Sequence, residues 1–353
     1  MRKPSGPREQ PGPTDFADPL TQREFQRAAV WIGMVTAVIA LWFLAQPLLL
    51  IVGGLVFAAI LDGGTRLLGR VLPIARGWRL AIVTLAGFAF IIWTCVYAGA
   101  TIAAQAEILR GVIQTQLQGL LDWGRSVGIV TGNNQMADIG RQLMGSLGRL
   151  TSAVGTALGA ISSLAMILVI GIFVAIEPRL YERGFAWMLP LNRREAFYAT
   201  STRMGRTLRL LMAGRLLGMA VEGVFTGVFA AIVGIPMAAL IGLITGLLAF
   251  LPNIGAIVSG VLIVLVGFSA GFETGIWAIV IYAVVQIIDG YLIVPMVAKR
   301  SVDLAPALVL GAQLLFGALF GILGLALADP IIAMIKVLLE EKSENAAEEA
   351  SAA

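Results

Sequence analysis

A chain of 353 residues that is 58% hydrophobic and 13% charged has apolar runs too long for the core of a water-soluble protein. It reads as an all-α, polytopic integral membrane protein with the lipid bilayer as its first partner. With no histidine, His metal sites, His general bases and His-ligated haem are excluded, and the single cysteine, Cys95, excludes a disulfide framework. The net charge of +4 comes from loop arginines, which fits positive-inside orientation rather than nucleic-acid binding.

Residues 1–27 hold Pro4, Pro7, Pro11, Pro13 and Pro19 among charges and read as a disordered cytoplasmic tail. No small-residue cleavage site follows the first apolar stretch, so a removable signal peptide is not expected. Residues 28–61 are uncharged, too long for one crossing, and carry Gln46-Pro47 near the middle. They predict a helical hairpin, crossing or re-entrant, with both ends on one side. A clean span at 80–104 completes an N-terminal membrane region, 28–104.

The segment 105–150 differs. Ile108, Leu109, Val112, Ile113, Leu117, Leu120 and Leu121 recur at helical spacing among polar residues, and Ile139, Leu143, Leu147 and Leu150 resume that spacing after Thr131-Gly132-Asn133-Asn134. This predicts an extracytoplasmic amphipathic helical hairpin packed on the spans or on a neighbouring subunit. A membrane transport region, 151–339, follows. Its 177–215 stretch carries eight basic residues in 39 positions, against four in the 46 positions of 105–150. That asymmetry places 62–79 and the basic segment 177–209 in the cytoplasm and 105–150 outside.

Ile235 to Ala270 is a run of 36 residues without a charge, interrupted by Leu251-Pro252-Asn253-Ile254-Gly255. As one helix it would be about 54 Å long, against a bilayer core of about 30 Å, so it must fold back. Pro252 removes a backbone donor, Asn253 is placed to cap the restarting helix, and Gly255 suits the geometry of a break. Short apolar segments broken by Pro or Gly point to a transporter's binding region. The bland reading is a tight turn between two short helices. After a return span at 275–294, the apolar stretch 305–339 must also double back, and the Ala/Glu-rich 340–353 reads as a disordered cytoplasmic tail. About eight apolar spans result, including broken or re-entrant helical hairpins, with both termini cytoplasmic. Glycine pairs four apart (Gly155/Gly159, Gly223/Gly227, Gly242/Gly246, Gly267/Gly271, Gly317/Gly321) mark close helix packing.

An ionisable residue inside a span costs roughly 2.5–3.5 kcal/mol on insertion scales and is a functional candidate. Glu222 lies well inside 216–233, with Arg215 seven residues earlier, about 10 Å along the axis. Asp289 lies in 275–294 with Gln286 on the same face. Glu222 and Asp289 read as a polar pathway, the alternative being a structural buried pair. Asp303 reads as an N-cap ahead of Pro306, and Asp329, before Pro330, as a breaker in the last hairpin. Neither a nucleophile elbow, nor metal-spaced Cys/His, nor a phosphate-cradling loop is present, so no enzyme, cofactor or ATP-driven pump is expected within the chain.

Leu251-Pro252-Asn253-Ile254-Gly255-Ala256 resembles the P-x-I-G-P element of the AI-2E family, the autoinducer-2 exporter or PerM-like permeases. Gln286-Ile287-Ile288-Asp289, Pro295, Lys299-Arg300-Ser301, Pro306, the run Leu315 to Gly324 and Ala328-Asp329-Pro330 are similar to its C-terminal signature. The chain departs from the pattern where Asp289 replaces a usual Glu, Val294 an acid, Ala256 a proline, and Asp329 a small or apolar residue. The resemblance implies a homo-oligomeric inner-membrane permease without cofactors. It would export a small polar solute such as the quorum signal autoinducer-2 through a cavity at Pro252–Gly255, with Asn253 and Gln286 as hydrogen-bonding groups and Asp289 as coupling acid. Other relatives imply a sodium(lithium)/proton antiporter using Glu222 and Asp289 for the monovalent cation or proton. A non-transporting scaffold docking through 105–150 is the reading from another class.

Overall fold

The computed structural model describes residues 19–97, 99–100, 126, 154–251, 253–293 and 304–352. The described residues are helical, without strands: α1 (Pro19–Leu68), α2 (Arg76–Tyr97), α3 (Val154–Ile176), α4 (Pro178–Trp187), α5 (Arg194–Val233), α6 (Ala238–Leu248), α7 (Ile254–Ala270), α8 (Phe272–Ile288) and α9 (Pro306–Ala352). Among them five helices are long and apolar enough to cross a membrane, or six with the bent pair α3/α4 taken as one span. Helices α6 and α7, at 11 and 17 residues, fall short of an ordinary crossing. An all-α membrane protein is what the composition required, and the described residues do not confirm the count of eight spans. The expected 105–150 hairpin lies outside the described residues apart from Ser126.

The chain divides into two units, Met1–Leu48 and Leu49–Ala353. The described part of the first is helical and exposes Trp31, Trp42 and Phe43. The expected hairpin at 28–61 does not form, because α1 continues unbroken through Pro47. A proline removes one hydrogen bond, a loss that membrane helices tolerate, and nothing else at Gln46-Pro47 favours a turn. The tails are corrected too. Helix begins at Pro19, inside the stretch read as disordered, and α9 runs to Ala352. Arg203 holds its end, donating to Glu344 at 2.8 Å and Glu340 at 3.2 Å.

In the second unit, Ala230, Ile235, Ile241, Ile263, Val266, Ala278, Ile281 and Val285 form one buried cluster across α5–α8. Lipid offers no hydrophobic drive for association, so close backbone contact must hold these helices together. Two of the glycine pairs supply it to each other. A methyl group on Gly242 would lie 2.6 Å from the Gly223 carbonyl oxygen and 2.6 Å from the Gly227 Cα, and one on Gly246 would lie 2.8 Å from the Met219 carbonyl oxygen. Helices α5 and α6 therefore pack antiparallel with main chain against main chain. A second cluster joins Leu49, Val56 and Ala59 of α1 to Leu208, Met212 and Leu327.

The last apolar segment does double back. Gly321 (φ 63°, ψ −145°) interrupts α9, and a hydrogen bond of 2.8 Å joins Gln313 to Asp329 on its two arms. Sixteen residues of straight helix would hold those side chains about 24 Å apart. The break is thus at a glycine, whose missing Cβ permits this backbone, and not at Asp329-Pro330. Both of those residues lie inside the second arm, which corrects the reading of Asp329 as a breaker. Pro306 occupies the first helical position, where a proline's missing N–H costs nothing. Asp303, its expected cap, is outside the described residues.

Candidate functional site

The uncharged run 235–270 breaks where its sequence demanded. Helix α6 ends at Leu248, α7 starts at Ile254, and Asn253 between them has φ 60° and ψ −52°. Pro252 is outside the described residues. Two details differ from expectation. The left-handed φ belongs to Asn253, whereas Gly255 is required for close approach, since a methyl group there would meet the Leu248 carbonyl oxygen at 1.8 Å. Nor does the Asn253 side chain cap α7; its amide nitrogen donates to Gln313 Oε1 at 2.8 Å.

That bond begins a polar chain through four segments. Gln313, buried on the first arm of α9, turns its own amide to Asp329 Oδ1 at 2.8 Å on the second arm. Asp329 Oδ2 accepts from Arg215 on α5, forming a charge-assisted ion pair. The sequence left open how Arg215 connects to its surroundings. It is paired across helices, and Glu222 lies two turns further along α5. Glu222 is only 6% exposed, and its Oε2 has no hydrogen-bond partner among the described residues. The buried Thr245 Oγ1 on α6 and Gln286 Nε2 on α8 share that condition. Asp289 is half-buried and opens a five-residue π-helical stretch, Asp289–Ile293, that follows α8 directly. Single π-turns of this kind frequently occur at functional sites.

Arg215, Asn253 and Asp329 are therefore brought into one bonded chain. Among the described residues no hydrogen bond or ion pair ties Glu222 or Asp289 to that chain; Glu222 lies two turns beyond Arg215 on α5, and Gln286 lies one turn before Asp289. Gly255 shapes the break, Pro306 starts the helix that carries Gln313, and Pro330 is buried beside Asp329. The residue missed by sequence reading is Gln313. Its signal was present, because it is the sole amide or charged side chain between Pro306 and Ala328. A second missed cluster surrounds Asp62, which accepts from Arg66 at 2.8 Å and Arg76 at 3.4 Å and pairs with Arg209 at 3.3 Å.

The two short apolar helices of the P-x-I-G-P-like segment meet at a break whose Asn253 is bonded to a polar chain between apolar helices. Comparison with known proteins decides its family: the profile of the AI-2E family transporters matches residues 32–344. This chain belongs to the AI-2E transporter family. Relatives include a putative transport protein, YrrI, of Bacillus subtilis, 25% identical over 195 residues (52% of this chain and 55% of the relative). The putative permease PerM of Escherichia coli K12 is 32% identical over 73 residues, 20% of this chain and 21% of PerM. A putative transport protein of Synechocystis, sll0060, is 25% identical over 223 residues, 62% of this chain and 60% of the relative. The chain thus spans about half the length of YrrI in the region they share. It is a multi-pass membrane protein that belongs to a family of transporters.

Proposed function

We propose that this protein is a secondary or facilitated permease that exports a small polar solute through the polar assembly of Arg215, Glu222, Asn253, Gln286, Asp289, Gln313 and Asp329. The observation that carries this reading is a pair of buried polar atoms, the Glu222 carboxylate Oε2 on α5 and the Gln286 amide Nε2 on α8, neither of which has a hydrogen-bond partner among the described residues. Unsatisfied polar atoms are costly in an apolar interior and are retained where a passing group completes them. Amide and carboxylate groups suit a neutral, oxygen-rich solute, and autoinducer-2 is the first to test. Residence in the inner membrane and assembly as a homo-oligomer belong to the same proposal. The basic segment 177–209 supports a cytoplasmic position for that side. The N-terminus no longer follows from a hairpin at 28–61, because α1 is a single helix.

The test is transport by purified protein in proteoliposomes, comparing wild type with Asp289→Asn. Autoinducer-2 efflux that is lost in the variant, with no Na⁺-driven change in internal pH, is the expected result. A Na⁺-driven pH change abolished by Asp289→Asn would replace the exporter with a sodium(lithium)/proton antiporter. Absence of both fluxes, with interaction through 105–150 intact, would favour the scaffold.

A further inference from the structure

Helix α4 takes no part in the polar assembly, yet its position and surface are specific. It meets the Ser162–Ile176 part of α3 at 88°, across Glu177 alone. A span that ends in a right-angle bend lays the next helix parallel to the membrane plane. Ten residues of helix reach only about 15 Å, half the bilayer core, so α4 cannot return across it. Its charges, Arg179, Glu182 and Arg183, also bar it from hydrocarbon.

The two sides of α4 are unlike. On one, Ala186 is buried and Glu182 accepts a hydrogen bond from Ser201 of α5 at 3.1 Å. Around the remaining half of its circumference Leu180, Phe185 and Trp187 are 60%, 63% and 78% exposed, and Met188 and Leu191 just beyond extend this broad apolar strip at 74% and 79%. Arginines 179 and 183 border that strip, and Arg193 and Arg194 follow it. The exposed apolar side of α3, with Leu164, Met166, Val169 and Phe173, leads directly into it.

We propose that α4 is an interfacial lipid-binding helix, its Leu180–Leu191 apolar strip sunk below the headgroups while Arg179 and Arg183 engage the phosphates of anionic phospholipids. Two observations select lipid as the occupant: continuity with the lipid-facing side of a span, and basic residues along the border of an apolar strip. Amphipathic helices with this pattern lie in the interface plane, held by apolar burial plus attraction to anionic lipid.

Full-length protein reconstituted in vesicles tests this. In a Cys95→Ser background, Met188→Cys or Leu191→Cys carries an environment-sensitive fluorophore, with Ser343→Cys on the exposed end of α9 as the aqueous reference. Quenching by lipids with a nitroxide near the headgroup, exceeding quenching by lipids with a nitroxide at the chain terminus, is expected at 188 and 191, together with protection from iodide. Adding phosphatidylglycerol to neutral vesicles should increase the shallow quenching, and the double change Arg179→Gln/Arg183→Gln should abolish that increase. Iodide access equal to that at Ser343→Cys overturns the proposal. So does protection from iodide without lipid quenching but with cross-linking between copies at 188, which would make the strip a protein interface. An anionic-lipid response that survives the arginine changes removes the headgroup contact.

Discussion

Asp62 and Asp329 both hold arginine, and they do so with opposite degrees of redundancy. Asp62 is shared by three guanidinium groups from α1, α2 and α5, whose side chains are 67%, 42% and 25% exposed for Arg66, Arg76 and Arg209. Arg76 is anchored independently, donating to the Ala175 carbonyl at 2.9 Å and the Ile176 carbonyl at 3.2 Å at the end of α3. Among the described residues Asp329 has one arginine and one amide, and its side chain is 11% exposed against 17% for Asp62. A shared, water-reached cluster survives loss of a member because the remaining charges and solvent take over. A single buried pair leaves its partner stranded. The first cluster ties helix ends together, whereas the second belongs to the polar assembly proposed as the transport path.

The largest test of that contrast is Asp329→Ala. It strands Arg215 and the Gln313 amide, and a loss of about 3–5 kcal/mol is expected, seen as a collapse in yield or in the thermal unfolding midpoint in micelles. The paired change Arg215→Met/Asp329→Leu should restore most of that stability, since apolar replacements of a buried pair are often neutral, while solute flux stays lost. Retained transport in the double variant would remove the pair from the path. Next in size is Gly242→Ala, an apolar yardstick for the same region. The added methyl group has only backbone to push against, and overpacking of this kind costs about 1–3 kcal/mol, read from the same unfolding midpoint.

Arg66→Gln, at the exposed rim of the Asp62 cluster, should cost no more than about 1 kcal/mol. Raising salt should erase that difference while leaving the Asp329→Ala defect unchanged, because only exposed charges are screened well. The smallest effect on folding is expected from Asp289→Asn, which keeps shape and breaks no direct hydrogen bond found among the described residues. Its unfolding midpoint should match wild type while efflux is lost; a midpoint that falls instead would assign Asp289 to structure.

Much of this was legible along the chain. The break near Asn253 was legible from an over-long uncharged run that also carries Pro252 and Gly255, and the doubling back of 305–339 from an over-long apolar stretch. The similarly long 28–61 stays one helix, which shows that length alone does not force a turn. The acids Glu222 and Asp289 stood out because charge in apolar sequence is expensive. Pro47 misled for the converse reason. A proline permits a turn without requiring one, and the chain on either side was content to remain helical. Asp329 was misread because its neighbour Pro330 drew attention to the backbone, while its role lies in what its carboxylate touches.

The amino-acid sequence alone established that this is a helical membrane protein, which segments are apolar, and, through Pro252, Asn253 and Gly255, where the uncharged run 235–270 breaks. Those are local consequences of transferring side chains and peptide groups into hydrocarbon, so they are written residue by residue. Which glycine pairs meet, that Arg215 finds Asp329 across 114 positions, and that Gln313 links it to Asn253 were decided by the packing of α5, α6 and the two arms of α9. Pairing at such separations depends on which helices become neighbours, and hydropathy along a single chain carries no record of that choice.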